Sequence, residues 1–431
     1  MYIEIYKQGK LIKRWDKILG DISFSNELMD TPSTKITLPI DFLEYVSGRE
    51  EVKIYVNDKC FFGIVKDLPI DKGDETIQLG LEHVISEWDY RKISINNAIK
   101  AKKVNIIYKE EDEAQRNPTV QDQLDDIYAD TNFAYPGWKL NFSDKAADTT
   151  IDYVYSKQGK LEALTKTMEL TDDLFWRVRM IPTKEVDISE FGEKKPYIIS
   201  TKPEGVNNIQ IIEAPDVEID FDDVVNLATV YAEKSDSGMS SLTLREVYDD
   251  PTLQKDGFPC VILRANVNNE RDYSKYITQY PKLAPNNELE YAVIDEESVA
   301  LEGGQLLEET YAFNDLSPFN TDDTKEITDK DRIRAARTVY NAVIRKLKLA
   351  RRSTVIKVKT TPLPNDINPG DKVRFIYDNS VYILESCSGY EKQVLAFDDW
   401  FYVTHIDYDI DEDGTEVDTV TLEKYLKLDR G

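Results

Sequence analysis

The chain is dominated by short stretches in which apolar and polar residues alternate, the pattern of half-buried β-strands. The segment from Tyr2 to Tyr6 alternates in this way, and Gln8-Gly9-Lys10 supplies a hairpin turn after it. Similar stretches continue to about residue 95. They predict a small closed β-barrel or sandwich at the N-terminus, and a barrel is preferred because closing a sheet on itself hides its strand edges.

Two stretches near opposite ends of the chain have the pattern of one repeated sheet module. The first module consists of strands and a turn at 52–56, 61–65, 70–73 and 76–79. The second consists of strands and a turn at 373–377, 400–403, 410–414 and 417–422. Roughly twenty extra residues separate the early strands of the second copy. The repeat therefore predicts a second β-barrel that is similar to the first.

Between the two copies the pattern changes to mixed α and β. Leu161, Leu164 and Met168 have helical spacing, and alternating strand patterns follow them. A longer helix is predicted after Thr328, with an apolar stripe from Ile333 to Ala350. An interruption rich in Asp, Asn and Ser precedes this helix.

These patterns predict a mainly β fold with α+β parts, in four domains. The N-terminal β-barrel spans 1–95 and an α+β domain spans 96–212. The second β-barrel is split between 213–240 and 353–431, and an inserted α+β domain, 241–352, ends in the long helix. At 431 residues the chain is too long for one ordinary core, which agrees with several domains.

The long helix is unusually basic for this chain. Its basic residues are Arg332, Arg334, Arg337, Arg345, Lys346, Lys348, Arg351 and Arg352. They predict a solvated helix face with favourable cations near the helix C-terminus. A salt-bridged contact with an acidic neighbouring subunit is the second interpretation, and nucleic-acid binding is the third.

The overall charge is strongly negative, with 54 basic and 81 acidic residues and a net charge of −27. Such a field repels phosphate backbones, so stable nucleic-acid binding is not expected of the whole chain. A surface past which DNA slides without adhering is compatible with this charge.

Three isolated cysteines, Cys60, Cys260 and Cys387, predict buried structural thiols in a reducing cytoplasm and no disulfide framework. The N-terminal residues lack the pattern of a signal peptide. No uncharged apolar stretch is long enough to cross a bilayer, so stable membrane insertion is not expected.

One motif suggests a metal. Asp409, Asp411 and Asp413, followed by Gly414, match the first half of a calcium-binding loop. The twelfth position of that loop, which should be Glu, is Val420, and the flanks alternate like strands. An Asp-Gly β-hairpin explains the same residues and is the preferred interpretation. No catalytic residue and no cofactor is predicted.

Several segments together resemble the baseplate hub and tail-tip proteins of tailed phages. The resemblance is carried by weak barrel and turn patterns at 24–39, 160–164, 175–178, 188–192, 223–226 and 369–373. It covers most of the chain in domain order. It implies a homotrimer whose two similar barrels per subunit form a six-fold-like ring on a hexameric tail tube.

The function that the resemblance implies is structural. The expected protein joins the tail tube to the distal tip of a virion and forms a channel for DNA. Its expected partners are a hexameric distal tail or tube protein, a tape-measure protein, receptor-binding or fibre proteins, and DNA passing transiently. Assembly is expected in the cytoplasm of a bacterial host.

Two other functions stay open at this point. One is a tail-associated cell-wall hydrolase that uses a carboxylate pair, and the other is a carbohydrate-binding adhesin. Relatives often carry a lytic or receptor-binding extension, whereas this sequence stops at Gly431, directly after the second barrel. We therefore expect no enzymatic activity.

Overall fold

The computed structural model describes residues 1–16, 19–71, 73–90, 119–125, 137–151, 158–202, 205–220, 223–231, 244–263, 290–313, 329–385 and 388–425. Within the hairpin 379–395 the description is of the backbone. Cys387 and Thr328, the residue before the predicted long helix, lie outside the described residues.

The described residues are mainly β, as predicted, and α+β parts accompany the strands. The strands are β1 (Tyr2–Lys7), β2 (Lys10–Trp15), β3 (Ile22–Glu27), β4 (Ser33–Pro39), β5 (Glu51–Val56), β6 (Lys59–Asp67), β7 (Ile70–Asp71), β8 (Thr76–His83), β9 (Trp138–Phe142), β10 (Phe175–Val178), β11 (Lys184–Ser189), β12 (Lys194–Ser200), β13 (Asn208–Gln210), β14 (Asp216–Asp220), β15 (Leu227–Tyr231), β16 (Cys260–Leu263), β17 (Glu290–Ile294), β18 (Glu308–Ala312), β19 (Ser353–Thr360), β20 (Lys372–Glu385), β21 (Ser388–Ile410) and β22 (Glu416–Glu423).

Five α-helices are described: α1 (Asp144–Asp148), α2 (Lys160–Glu169), α3 (Arg245–Asp249), α4 (Glu296–Leu301) and α5 (Asp329–Leu349). Residues 120–125 are also helical. Short 3-10 helices occur at Ile40–Glu44, Val84–Tyr90 and Pro251–Leu253. In the described part of the chain no helix is both long enough and apolar enough to cross a membrane.

The strands form three sheets. Fifteen strands belong to one large sheet, β10-β11-β9 form a second, and β16-β17-β15-β18 form a third. The third sheet and α5 lie in the chain between β14 and β19. The residue boundaries of the four predicted domains stay a prediction.

The large sheet contains two arrays with the same strand order. The first array is β1-β5-β6-β8-β4-β3, and the second array is β12-β20-β21-β22-β19-β14. Neighbouring strands are antiparallel in both arrays, except for the parallel pair of β12 and β20. The module repeated in the sequence is therefore also repeated in strand order.

The prediction of two closed barrels is not confirmed, because the described strand pairs follow an open path. The outer edge of β3 pairs with β21, from Ile22 opposite Ile410 to Glu27 opposite His405. The first array thus continues into the second instead of closing on itself. Because the backbone groups at the edge of β3 are already paired with β21, closure of the first array into a barrel is not needed to cover this edge.

Both arrays contribute to one apolar core. Ile3, Phe61, Phe375 and Ile406 are among its fully buried members. A separate core joins the second sheet to α2, α5 and part of the third sheet, with Trp176 and Tyr340 as its large buried residues. The predicted apolar stripe is buried from Ala336 to Ala350, whereas its first member, Ile333, is 39% exposed.

Candidate assembly interface

The junction between the two arrays is a short antiparallel pair of β3 and β21 with an apolar inner face. Phe24 and Tyr408 lie opposite each other, with ring centroids 4.9 Å apart. Both are buried, as are Ile22 and Ile410 at the end of the same pair. Aromatic contacts across a strand pair add to the free energy of burial. The chain thus contains one complete example of how these arrays join.

A charged contact lies at the other end of this junction. The Nδ1 atom of His405 lies 3.1 Å from Glu27 Oε2, and its Nε2 atom lies 2.9 Å from Asp407 Oδ1. Hydrogen bonds to these carboxylates raise the pKa of His405 to about 9. The imidazole is therefore protonated at neutral pH and donates to both carboxylates, linking β3 to β21.

A buried cluster also connects the arrays. Lys59 at the start of β6 forms an ion pair with Glu416 and lies 3.7 Å from Asp418, both on β22. Lys59 donates to the Leu363 carbonyl at 3.0 Å, and Asn57 donates to Glu416 at 2.6 Å. The charged side chains are almost fully buried, with side-chain exposures of 6% for Lys59, 1% for Glu416 and 0% for Asp418.

Two carboxylates share one ammonium in this cluster. Burial is the main cause that raises the pKa of Asp418 to about 7, and the charge of Glu416 acts in the same direction. Removal of one partner from such a buried set leaves an uncompensated charge. These residues do not stand out in the sequence, because they come from segments more than 300 residues apart. The alternation of β22 could have signalled that two acids lie on its buried face.

The strand edges that correspond to this junction are unpaired among the described residues. In array order β14 corresponds to β3, and β6 with β7 corresponds to β21. Ile219 on β14 is 50% exposed, and Ile70 on β7 is 47% exposed. Their counterparts at the junction, Asn26 for Ile219 and Tyr408 for Ile70, are buried. Large apolar residues on an open strand edge mark a surface that favours pairing with another strand.

The predicted calcium residues lie at the hairpin that joins β21 to β22. Asp411 Oδ1 accepts the backbone N–H groups of Asp413 at 3.0 Å and Thr415 at 2.7 Å. Gly414 has a φ of 83°, which is the conformation that a turn needs from glycine. Within the described ranges no group of three acidic, His or Cys side chains could hold a metal ion. The geometry is that of the hairpin that was the preferred interpretation.

Several basic residues in α5 and just after its C-terminal end form contacts within this chain. Arg351 binds both oxygens of Asp295, at 2.6 and 2.9 Å. Lys348 lies 3.6 Å from Asp172, and Arg345 is buried and donates to the Leu174 carbonyl at 2.7 Å. Burial lowers the pKa of Arg345 to about 10. These contacts lie inside the subunit, unlike the contact with a neighbouring subunit that was the second interpretation. Arg332, Arg337 and Lys346 are exposed, in agreement with the preferred interpretation of a solvated helix face.

A small cleft of about 330 Å³ lies beside the β1–β2 hairpin, and Glu50, Glu51 and Glu87 line it. Each carboxylate has fixed partners. Glu50 accepts the N–H groups of Ser47 and Gly48, and Lys184 binds Glu51 and Glu87 at 2.7 and 3.0 Å. The cleft therefore gives no support to a hydrolase that uses a carboxylate pair.

Cys60 and Cys260 are free, buried thiols, as predicted for structural cysteines. Burial raises the pKa of each to about 12, so both are protonated and unreactive at neutral pH.

Comparison with solved structures gives the fold a context. The tail protein from Neisseria meningitidis MC58 superposes with a TM-score of 0.52 at 11% identity, over 98% of this chain and 96% of that chain. Prophage tail protein gp18 from Listeria monocytogenes EGD-e gives 0.51 at 12% identity, over 99% and 94%. The chain has the fold of prophage tail proteins.

A third tail-protein structure agrees with this fold. The 43 kDa tail protein of prophage MuSo2 from Shewanella oneidensis gives a TM-score of 0.53 at 10% identity, over 98% of each chain. No family model and no curated protein matches the sequence. The resemblance to phage tail proteins that the sequence indicates is thus confirmed at the level of the fold.

Proposed function

We propose that this protein is a homotrimeric structural component of a phage tail, a baseplate hub or tail-tip protein. This proposal rests on the two arrays with the same strand order, which join once inside the chain. The corresponding second pair of edges, β14 and β6–β7, has no strand partner among the described residues. If β14 of one subunit pairs with β6–β7 of the next, three chains place six similar arrays in a closed ring. The tail-protein fold supports this role.

The register of the proposed pair follows from the hydrogen-bonded ladders. One residue row across the first array consists of Phe24, Thr34, Leu81 and Val65. The corresponding row across the second array consists of Val217, Ile356, Leu422 and Val403. A bulge follows the last residue of both rows, which supports the match. Val217 is therefore the counterpart of Phe24.

The same comparison places Ile70 at the position of Tyr408. Each lies five residues after the matched valine of its strand, and Ile70 lies opposite Ile77 as Tyr408 lies opposite Asp418. Because Phe24 lies opposite Tyr408, Val217 is expected opposite Ile70 of the next subunit, and Ile219 opposite Leu68. Both proposed pairs are apolar.

Pro69 does not block this pairing. Its carbonyl accepts the N–H of Gln78 in β8. Since the backbone groups of successive strand residues face opposite sides, the groups of Leu68 and Ile70 face the open edge. On the outward face of the same strand pair, Asp216 is expected opposite Asp71, and these two like charges repel each other. Added salt should therefore strengthen the association by screening these charges.

The assembled protein is proposed to act by shape and charge. A ring with six-fold-like symmetry fits a hexameric tail tube or distal tail protein, and the net charge of −27 would let DNA or a tape-measure protein pass without adhering. Receptor-binding or fibre proteins are the proposed distal partners, and the virion tail is the proposed location, after assembly in the host cytoplasm. No catalytic step belongs to this proposal.

Disulfide trapping tests the ring directly. Residues directly opposite in antiparallel strands lie close enough for a disulfide, so a chain with Val217→Cys and Ile70→Cys should oxidise to a covalent trimer of the 49.7 kDa chain. Each single variant should give at most dimers. A parent chain that sediments as a monomer at every concentration, and a double variant that forms no covalent trimer, would overturn the proposal.

A further inference from the structure

The two arrays differ at one hairpin. In the first array β5 and β6 are joined by the two residues Asn57 and Asp58, with Val56 opposite Lys59. In the second array the corresponding pair, Tyr377 opposite Phe397, is followed by eight further pairs, from Asp378 opposite Ala396 to Glu385 opposite Ser388. This extension, residues 378–396, is called the arm below. At 3.3 Å per residue it is about 26 Å long.

The arm has no other strand beside it in the described sheet. The neighbouring strand β12 pairs with β20 only as far as Ile376, and β22 pairs with β21 only from Tyr402 onwards. The arm contains four successive apolar residues, Val381, Tyr382, Ile383 and Leu384. An isolated two-stranded hairpin is marginally stable in water, and one this apolar gains stability by packing against another surface.

At the internal junction, the short β5–β6 hairpin of the first array contacts the second array. Its contacts therefore indicate which surface of a neighbouring array the arm would meet at the junction between subunits. Asn57 donates to Glu416 at the start of β22, and Lys59 donates to the carbonyl of Leu363, which follows β19. In the first array the corresponding sites are the start of β8 at Thr76 and the 3-10 helix Ile40–Glu44, which follows β4. Leu43 in this 3-10 helix is 38% exposed.

We propose that the arm of each subunit packs on the neighbouring subunit, over the 3-10 helix Ile40–Glu44, and clamps the ring together. The inference rests on the proposed trimer, since it transfers the contacts of the internal junction to the junction between subunits. It names a second copy of this chain as the partner of the arm. It also gives the exposed Leu43 a partner.

A shortened chain tests the clamp. Residues 378–396 are replaced by Asn-Asp, the natural turn of the short hairpin, so that Tyr377 and Phe397 keep their pairing. Sedimentation velocity over a concentration series compares this variant with the parent. We expect the concentration at which half of the chains are trimeric to rise about tenfold or more. Thermal unfolding of the monomer should stay unchanged, because the arm pairs with no other described strand.

Point variants locate the receiving surface. Leu43→Ser should weaken the parent trimer but have no further effect in the shortened chain. Leu301→Ser is the matched control, since Leu301 is 39% exposed and lies on α4, which packs on the third sheet through Val299. Equal trimer strength with and without the arm overturns the clamp alone, and so does an additive effect of Leu43→Ser. A monomeric parent overturns the trimer and the clamp together.

Discussion

Replacement of the exposed isoleucines at the open edges is the sharpest test of the proposed ring. Ile219→Ser and Ile70→Ser remove apolar side chains that are about half exposed in the single chain. Complete burial of an isoleucine side chain contributes about 1.5–3 kcal/mol, so burial of the exposed half contributes about 1 kcal/mol. Each residue occurs once in each of the three interfaces of a ring, so each single variant costs a trimer about 3 kcal/mol.

This loss has a measurable size. At about 1.4 kcal/mol per tenfold change, 3 kcal/mol lowers the trimer association constant about a hundredfold. Because three chains associate, the concentration at which half of the chains are trimeric scales as the inverse square root of the association constant. This concentration therefore rises about tenfold for one variant and about a hundredfold for both. Both residues lie on open edges, so the monomer should keep its unfolding temperature.

Sedimentation velocity measures the distribution of monomer and trimer across the concentration series. Leu301→Ser is again the control, because it removes a similarly exposed apolar side chain from a different surface. If the double variant assembles as strongly as the parent, or if the control weakens assembly equally, β14 and β7 are not the paired edges.

Three further predictions concern the chain itself. Lys59→Met should destabilise the folded chain by about 3–5 kcal/mol in urea unfolding, because the buried carboxylates of Glu416 and Asp418 lose their cation. Adding Glu416→Gln should restore part of the lost stability, and a lack of recovery would argue against this ionic cluster. The His405 contact raises the folded pKa to about 9 from 6.5, so its stabilisation should be complete below about pH 6.5 and disappear as the pH rises through 9, a dependence that His405→Gln should abolish. Gly370→Ala should destabilise more than Gly257→Ala, by about 1 kcal/mol or more in thermal unfolding: both glycines have positive φ, but only at Gly370 would the added Cβ lie 2.9 Å from Phe191. Equal effects of the two substitutions would contradict this last argument.

Local patterns were enough to predict the type and approximate position of many elements. The helical spacing of Leu161, Leu164 and Met168 matches α2, and the stripe from Ile333 to Ala350 matches α5. The repeated module predicts three antiparallel strands in each array, and these are present. Such patterns are readable because the periods of helices and strands are set by the backbone itself.

Long-range choices were not readable in the same way. The pairing of β3 with β21 joins residues almost 400 positions apart, and an alternating strand pattern does not indicate which edge it will meet. The basic residues in and after α5 gave no sign that Arg345 would be buried and that Arg351 would bind Asp295. Charge in a sequence shows which interactions are available, but burial decides which ones form.

The pattern of apolar and polar residues is enough to show that this protein is mainly β, that one strand module occurs twice, and that a mixed segment interrupts the second copy. Folding in three dimensions was needed to show that the two copies join through β3 and β21 into one open sheet, with Lys59 buried between them. The reason is physical: periodicity is a property of neighbouring residues, whereas the partner of a strand edge depends on which surfaces the folded chain brings together.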